Sequence, residues 1–302
     1  MRFVQRPNID CTKWDYLVQQ TKKACIYEQS YFLDATCDYW CVFVDEEYSK
    51  GIAIPFTNKM NQKIVYTPNF IRYLDFLGEY TERDIVHFCE AIKEEFSIGK
   101  LAISTAFPVK NTTQKVYQTI NFLEQYKYNS LTKRMLKKFE SSQLILSSTC
   151  DFKSVLEFVS NELSTRLPDL TKKDFAVFNQ LLNDINTKNQ LTYYGVLNSD
   201  NQLIGGAFFS EFNNRVTYIK GIATKEFRNE GVMYALLNEG IEFAKNRNCN
   251  FDFGGSSIPS IRQFFSHLGG KDAEYTSLNW GSPPYYYRLI RFLYHKLFNR
   301  NK

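Results

Sequence analysis

Phe227-Arg228-Asn229-Glu230-Gly231-Val232-Met233-Tyr234 is the stretch on which the reading of this 302-residue chain turns. Three β-rich runs precede it, Leu191 to Leu197, Leu203 to Phe212 and Val216 to Ala223, parted by the polar turns Ser199-Asp200-Asn201 and Asn213-Asn214. These runs predict an antiparallel meander. After it, Gly231 to Asn246 sets Val232, Ala235, Leu236, Ile241 and Phe243 at helical spacing, with Lys245 and Arg247 where positive charge suits a helix C-terminus. A short strand, Asn250 to Phe253, then runs into Gly254-Gly255. An Arg-x-x-Gly loop therefore joins the third strand of a meander to a helix.

That junction has the physics of an anion site. The first turn of a helix leaves backbone N–H groups unpaired at the positive end of the macrodipole, so a phosphate is bound there without a dedicated cation. Gly231 lets the backbone approach closely, and Arg228 adds a charge-assisted contact. Arg-x-x-Gly alone is common, and a β-to-α turn with a surface Arg is the plain alternative. The order of meander, loop, helix and strand is what gives it weight.

This order resembles the GNAT superfamily of acyl-CoA-dependent N-acyltransferases. In that family, Arg/Gln-x-x-Gly-x-Gly/Ala between the fourth strand and the third helix cradles the pyrophosphate of coenzyme A. Arg228, Gly231 and the intervening Asn229 and Glu230 match, and Met233 stands where a small residue is usual, narrowing the loop. The resemblance makes Asn250 to Phe253 the fifth strand, splayed from the fourth to admit the pantetheine arm. It also makes Phe264-Phe265-Ser266-His267-Leu268-Gly269-Gly270 the ending of the next helix, with Phe265 in place of the Tyr that protonates the leaving thiolate. The likeness spans roughly residues 140 to 282, by order more than by identity.

The first half repeats this logic. Thr12 to Ala24 predicts a helix capped by Thr12, and strands follow over Asp38 to Val44, Gly51 to Phe56 and Lys63 to Tyr66. Thr81 to Phe96 predicts a second helix with Glu82 and Asp84 in its first turn, and Leu101 to Phe107 another strand. Where the second half has the Arg228 loop, the first has the aromatic loop Tyr66-Thr67-Pro68-Asn69-Phe70-Ile71-Arg72-Tyr73-Leu74. The expectation is an α/β (α+β) fold of two tandem GNAT-like domains, 1–140 and 141–302, each a mixed, mainly antiparallel sheet flanked by helices. This tandem is similar to the FemABX-type peptidoglycan-bridge aminoacyltransferases, in which the second domain holds the donor and the first helps to form the acceptor groove.

Composition bounds the rest. Hydrophobic residues are 44% and aromatics 16%, which excludes general disorder. The net charge of +5 is no argument for nucleic acid by itself. Seven cysteines without Cys-x-x-Cys indicate neither a disulfide framework nor a zinc site, and Cys37 and Cys41 read as buried apolar residues. Three histidines without His-Glu-x-x-His argue against a metal. No secretory h-region or 18-residue apolar run occurs, so a cytoplasmic, reducing home is expected. Tyr126 to Glu140 reads as an amphipathic helix whose basic face carries Lys133, Arg134, Lys137 and Lys138. The acid-free tail predicts a helix over Tyr285 to Phe298, and its face of Arg288, Arg291 and Lys296 suits an anionic partner or only solvent.

The resemblance implies an acyltransferase that takes acetyl-CoA or another acyl-CoA as co-substrate, with no metal, and a small-molecule or peptide amine as acceptor; an aminoacyl-tRNA donor and a non-catalytic binding protein remain open. The donor would be oriented by Arg228 to Met233 and by the strand end Ile222, Ala223 and Thr224, with the amide of Ile222 or Ala223 polarising its carbonyl. Phe265 would border the donor. Tyr218, Asp252 and His267, with Glu211, are the polar groups expected to face the cleft, Tyr218, Asp252 and His267 being the expected catalytic residues.

Overall fold

The computed structural model describes residues 1–59, 61–104, 112–167, 170–255 and 258–282. Its first half runs β1 (Arg2–Gln5), α1 (Cys11–Gln20), α2 (Ser30–Thr36), β2 (Tyr39–Val44), β3 (Lys50–Lys59), β4 (Gln62–Val65), β5 (Leu77–Gly78), α3 (Glu82–Glu95), β6 (Ile98–Ile103), β7 (Thr112–Ile120) and α4 (Ser130–Glu140). The second half runs β8 (Ile145–Ser147), α5 (Phe152–Arg166), α6 (Lys172–Thr187), β9 (Leu191–Leu197), β10 (Leu203–Phe212), β11 (Arg215–Ala223), α7 (Val232–Asn246), β12 (Asn250–Asp252), α8 (Pro259–His267) and β13 (Lys271–Trp280). The helix expected over residues 285–298 lies outside the described residues, as does the far end of the strand expected over 101–107.

Local chemistry sets most boundaries. Thr81 caps α3 in a reciprocal box with Asp84, and Thr171 caps α6 with Asp174. Asn213 and Asn214 both take positive φ, the two-residue geometry whose twist matches a hairpin, and so turn β10 into β11. The cap of α1 differs from expectation: Asp10, not Thr12, accepts from the Lys13 amide and starts the helix earlier.

All strands belong to one sheet of mixed but mainly antiparallel pairing, in the order β1-β2-β3-β4-β6-β13-β7-β12-β11-β10-β9-β8, with β5 beside β3. Each half contributes a four-stranded antiparallel run and then one parallel neighbour, β6 beside β4 and β12 beside β11. Beyond that neighbour each half receives the other half's last strand. Here β13 pairs with β6, β7 pairs with β12, and the two exchanged strands pair with each other over Lys271↔Thr119 to Leu278↔Thr112. The division drawn at residue 140 thus assigns β7 and α4 to the first half, although both lie against second-half elements.

The core follows the same exchange. One cluster joins first-half residues such as Trp14, Phe32, Phe43 and Phe88 to Val155, Phe178, Phe208 and Ile222 from α5, α6, β10 and β11. A second lies on the opposite face of the second half, under α7 and α8, and takes in Ile120 of β7 and Phe139 of α4.

A buried ion pair sits where the halves meet. Arg72, from the aromatic loop of the first half, grips Asp252 at the end of β12 with both guanidinium nitrogens, NH1 to Oδ1 at 2.6 Å, and the two side chains are only 6% and 1% exposed. The guanidinium lies 4.1 Å over the ring of Tyr117 from β7 and 4.7 Å from that of Tyr73. Arg215 of β11 stands 3.5 Å from Asp252 Oδ2 and donates to the Tyr73 hydroxyl at 2.7 Å. Asp252 Oδ1 also accepts the Gly254 amide at 2.9 Å, so this one carboxylate ties the loop, β11 and the turn after β12 together.

Two outcomes follow. A fragment beginning at residue 141 lacks β7, the strand that pairs with both β12 and β13, and should show no cooperative thermal transition by circular dichroism. Arg72→Ala strands a buried carboxylate and should cost about 3–5 kcal/mol in urea unfolding; a loss under about 1 kcal/mol would show that water reaches Asp252 and that the pair is not the fastening described.

Candidate functional site

The parallel pairing of β11 with β12 extends only from Arg215↔Asn250 to Thr217↔Asp252. Past this point Gly254 and Gly255 both take positive φ, and the Phe253 amide turns to the Gln118 carbonyl of β7. β11 continues to Ala223 without a partner on that side among the described residues. The gap between the strands is the candidate cleft, and unpaired backbone of β11 forms one wall.

Register decides which amides face it. The Thr224 amide donates to Ile204 at 2.9 Å, and β10–β11 pairing runs unbroken through Ala223↔Gly205, Ile222↔Gly206, Gly221↔Ala207 and Lys220↔Phe208. Antiparallel ladders alternate, so Lys220 and Ile222 bond to β10 while the amides of Gly221 and Ala223 face the gap. Of the two polarising amides expected from sequence, Ile222 is therefore committed to the sheet, and the Ala223 amide has no partner among the described residues.

A bulge sits just before these residues. Phe208 pairs with Lys220 and Phe209 with Tyr218, leaving Ile219 as the extra residue of β11. Tyr218 and Ala223 consequently belong to the α7 side, whereas Ile219 and Ile222 belong to the α5–α6 side.

Tyr218 lies within this splay. Its hydroxyl donates to the Gly221 carbonyl at 3.1 Å, and its ring meets Phe265 edge-on at 6.2 Å. Burial pushes its phenol above the ordinary range, so it stays protonated at neutral pH. Phe265 is itself buried and stacks on Phe253 at 4.8 Å.

Gly231 is the N-cap of α7, at φ 79°, and offers no capping side chain. Among the described residues, the amides of Val232, Met233 and Tyr234 therefore remain as unfilled donors at the helix start. A Cβ on Gly231 would lie 2.3 Å from the Met135 carbonyl of α4, so this glycine is demanded by helix packing as well as by its φ. Lys138 of α4 reaches the same loop, donating at 2.9 Å to the Asn229 carbonyl and to Glu230. Arg228 is exposed and makes no side-chain hydrogen bond or ion pair among the described residues. Met233 packs against the core beneath α7. Beside the loop runs an open groove of about 630 Å³, whose lining includes Asp200, Thr224, Glu226, Phe227 and Glu230. Its carboxylates suit a cation better than a phosphate.

Three expected residues have other surroundings. Asp252 is not open to the cleft, because both of its oxygens are held in the ion pair that joins the halves. Glu211 stands 3.4 Å from Arg247, which follows the C-terminus of α7, at the end of the meander remote from the loop. His267 ends α8, and its carbonyl accepts the Asn129 amide and the Thr132 hydroxyl at the start of α4. Its imidazole makes no hydrogen bond among the described residues. No group of three His, Cys, Asp or Glu that could hold a metal occurs among the described residues, and no helix there is long and apolar enough to cross a membrane.

Sequence reasoning missed two residues on this face. In the sequence Arg72 stands only as part of an aromatic loop, and Lys220 only as one residue of the run Val216 to Ala223. No local signal marks either, since one is buried by a contact 180 residues away and the other is re-aimed by the bulge.

The model of the acetyltransferase (GNAT) family matches residues 156–261, from within α5 into α8. No curated protein gives a significant match. Among solved structures the chain is similar to FemX, at 10% identity, covering 96% of this chain and all of that one with a TM-score of 0.66. It is also similar to the C-terminal domain of a putative lysylphosphatidylglycerol synthetase from Agrobacterium fabrum, at 11% identity, 95% and 96% coverage and a TM-score of 0.59. A third is L-PGS from Bacillus licheniformis, at 12% identity, 87% and 90% coverage and a TM-score of 0.51. At these identities the structures share a fold. The acetyltransferase (GNAT) match thus falls on the second half, and the chain as a whole has a tandem GNAT-like fold similar to that of FemX.

Proposed function

We propose that this acyltransferase moves an acyl group from an acyl-CoA to an amine by direct attack on the thioester. The observation that carries the reading is the junction of an uncapped α7 N-terminus with a splay into which the Gly221 and Ala223 amides point. The amides of Val232, Met233 and Tyr234, with Arg228, would bind the pyrophosphate. The acyl carbonyl would lie against the Ala223 amide, whose hydrogen bond strengthens as charge develops on oxygen.

The attacking amine forms the C–N bond as the C–S bond breaks. Its surplus proton passes to water, the departing thiolate takes one from the Tyr218 hydroxyl, and Tyr218 regains its proton from water. Tyr218 supports this role because its ring touches Phe265, the residue in place of the usual tyrosine, and because burial keeps its phenol protonated. Asp252 is assigned a positioning role, since its carboxylate is occupied.

One observation favours an aminoacyl-tRNA as a second reading for the donor. Lys133, Arg134 and Lys137 are exposed on α4, the helix packed on the α7 start, and form a basic rim suited to a polyanion longer than CoA.

Calorimetry with acetyl-CoA and longer acyl-CoAs tests the donor. Arg228→Ala should weaken binding about tenfold, the worth of one charge-assisted contact, without moving the melting temperature. Gly231 is not a fair probe, because any side chain there also drives α4 away. Equal binding by wild type and Arg228→Ala would put the pyrophosphate elsewhere. No acyl-CoA binding, together with salt-dependent binding of aminoacyl-tRNA, would favour the second reading, and binding without turnover would leave a non-catalytic protein. If acyl-CoA is used, Tyr218→Phe should lower kcat about 100-fold or more, whereas Phe265→Tyr should not impair it; an unchanged kcat in Tyr218→Phe would remove the tyrosine from the reaction.

A further inference from the structure

Lys220 occupies an unusual place in the cleft wall. Two residues in a row, Ile219 and Lys220, fall on the α5–α6 face because the bulge breaks the alternation of β11. Lys220 lies directly opposite Phe208, and Phe208 packs at 6.2 Å from Phe152 of α5 and 6.5 Å from Phe178 of α6. Phe178 in turn stacks on Phe70 of the first-half aromatic loop at 5.6 Å. The lysine is half-buried on this aromatic-walled face, yet among the described residues its ammonium has no hydrogen bond and no ion pair. Burial holds its pKa below the ordinary lysine range. The same face carries Arg215 and Arg72 about the carboxylate of Asp252, and among the described residues the Nε of buried Arg72 lacks a partner. A half-buried ammonium with no hydrogen bond or ion pair among the described residues is a site awaiting an anion.

Its position relative to the reaction is fixed by the strand. Lys220 immediately precedes Gly221, whose amide faces the gap, and its side chain leaves on the side opposite α7. If the donor enters along α7, the α5–α6 side is left for the acceptor.

We propose that Lys220 forms an anion subsite for the acceptor, so that the amine substrate carries a carboxylate or phosphate group close to its reacting nitrogen. The subsite rests on the acyltransferase reading for its purpose, but its binding property does not. Reductive methylation with 13C-formaldehyde gives each lysine a methyl resonance, and the Lys220 signal is assigned by its disappearance in Lys220→Arg. Titration with inorganic phosphate, and separately with acetate, should shift that signal saturably. The anion with the lower saturation point names the group. Lys220→Met, which keeps the buried stem, should lose the calorimetric heat of that anion at this site while binding acetyl-CoA as wild type does.

A Lys220 resonance that stays still while exposed lysines respond to both anions would overturn the subsite. So would a Lys220→Met variant that is folded, by an unchanged melting temperature, and still shows the full heat. Failure of wild type to bind acetyl-CoA would count against the donor reading alone, since the Lys220 resonance reports the anion independently.

Discussion

The structure depends on one buried charge being matched across its two halves. A carboxylate as enclosed as that of Asp252 costs several kcal/mol to desolvate unless it is paired and its lone pairs are filled. Arg72 supplies the bidentate partner, Arg215 a second positive group, and the Gly254 amide a further hydrogen bond. Because Arg72 belongs to the first half and Asp252 ends the strand at which the splay begins, the loop of the first half is fastened to the edge of the second half's cleft. This gives a physical reason for a tandem chain whose first half has no Arg-x-x-Gly loop of its own. The exchange of β7 and β13 makes the same coupling through backbone hydrogen bonds.

Around that fastening, the two faces of β11 have separate tasks. Toward α7 lie an uncapped helix start, Tyr218 and the aromatic pair Phe253 and Phe265. Toward α5 and α6 lie Lys220, Ile222 and the guanidinium-rich cluster. The free Gly221 and Ala223 amides lie between these faces, at the strand edge. The bulge leaves Ile219 unpaired, so that Lys220 stands opposite Phe208 on the α5–α6 side while Tyr218 stands opposite Phe209 on the α7 side. The helix α4 adds a constraint from elsewhere in the chain, since its carbonyl at Met135 fills the space over Gly231 and its Lys138 pins the loop.

The sequence by itself determined the elements whose signals are local. β9 and β10 fall on the expected residues, α7 starts one residue later than expected, and the Thr81 box and the Asn213-Asn214 turn can be read from a few side chains at fixed spacing. The order of these elements was enough to reach the GNAT fold and its Arg228 loop. It did not reveal β7 or β13, whose mixed polar sequences become strands because each pairs with the other and with a strand of the opposite half. Nor could it tell that Asp252 is occupied, that Glu211 is remote, or that Ala223 rather than Ile222 offers its amide to the gap. Those facts depend on pairing register, a bulge and a contact between residues 72 and 252. Helical spacing and capping act over three or four residues and are written in the chain, whereas register and burial are set by partners far along it and exist only once the two halves have exchanged strands.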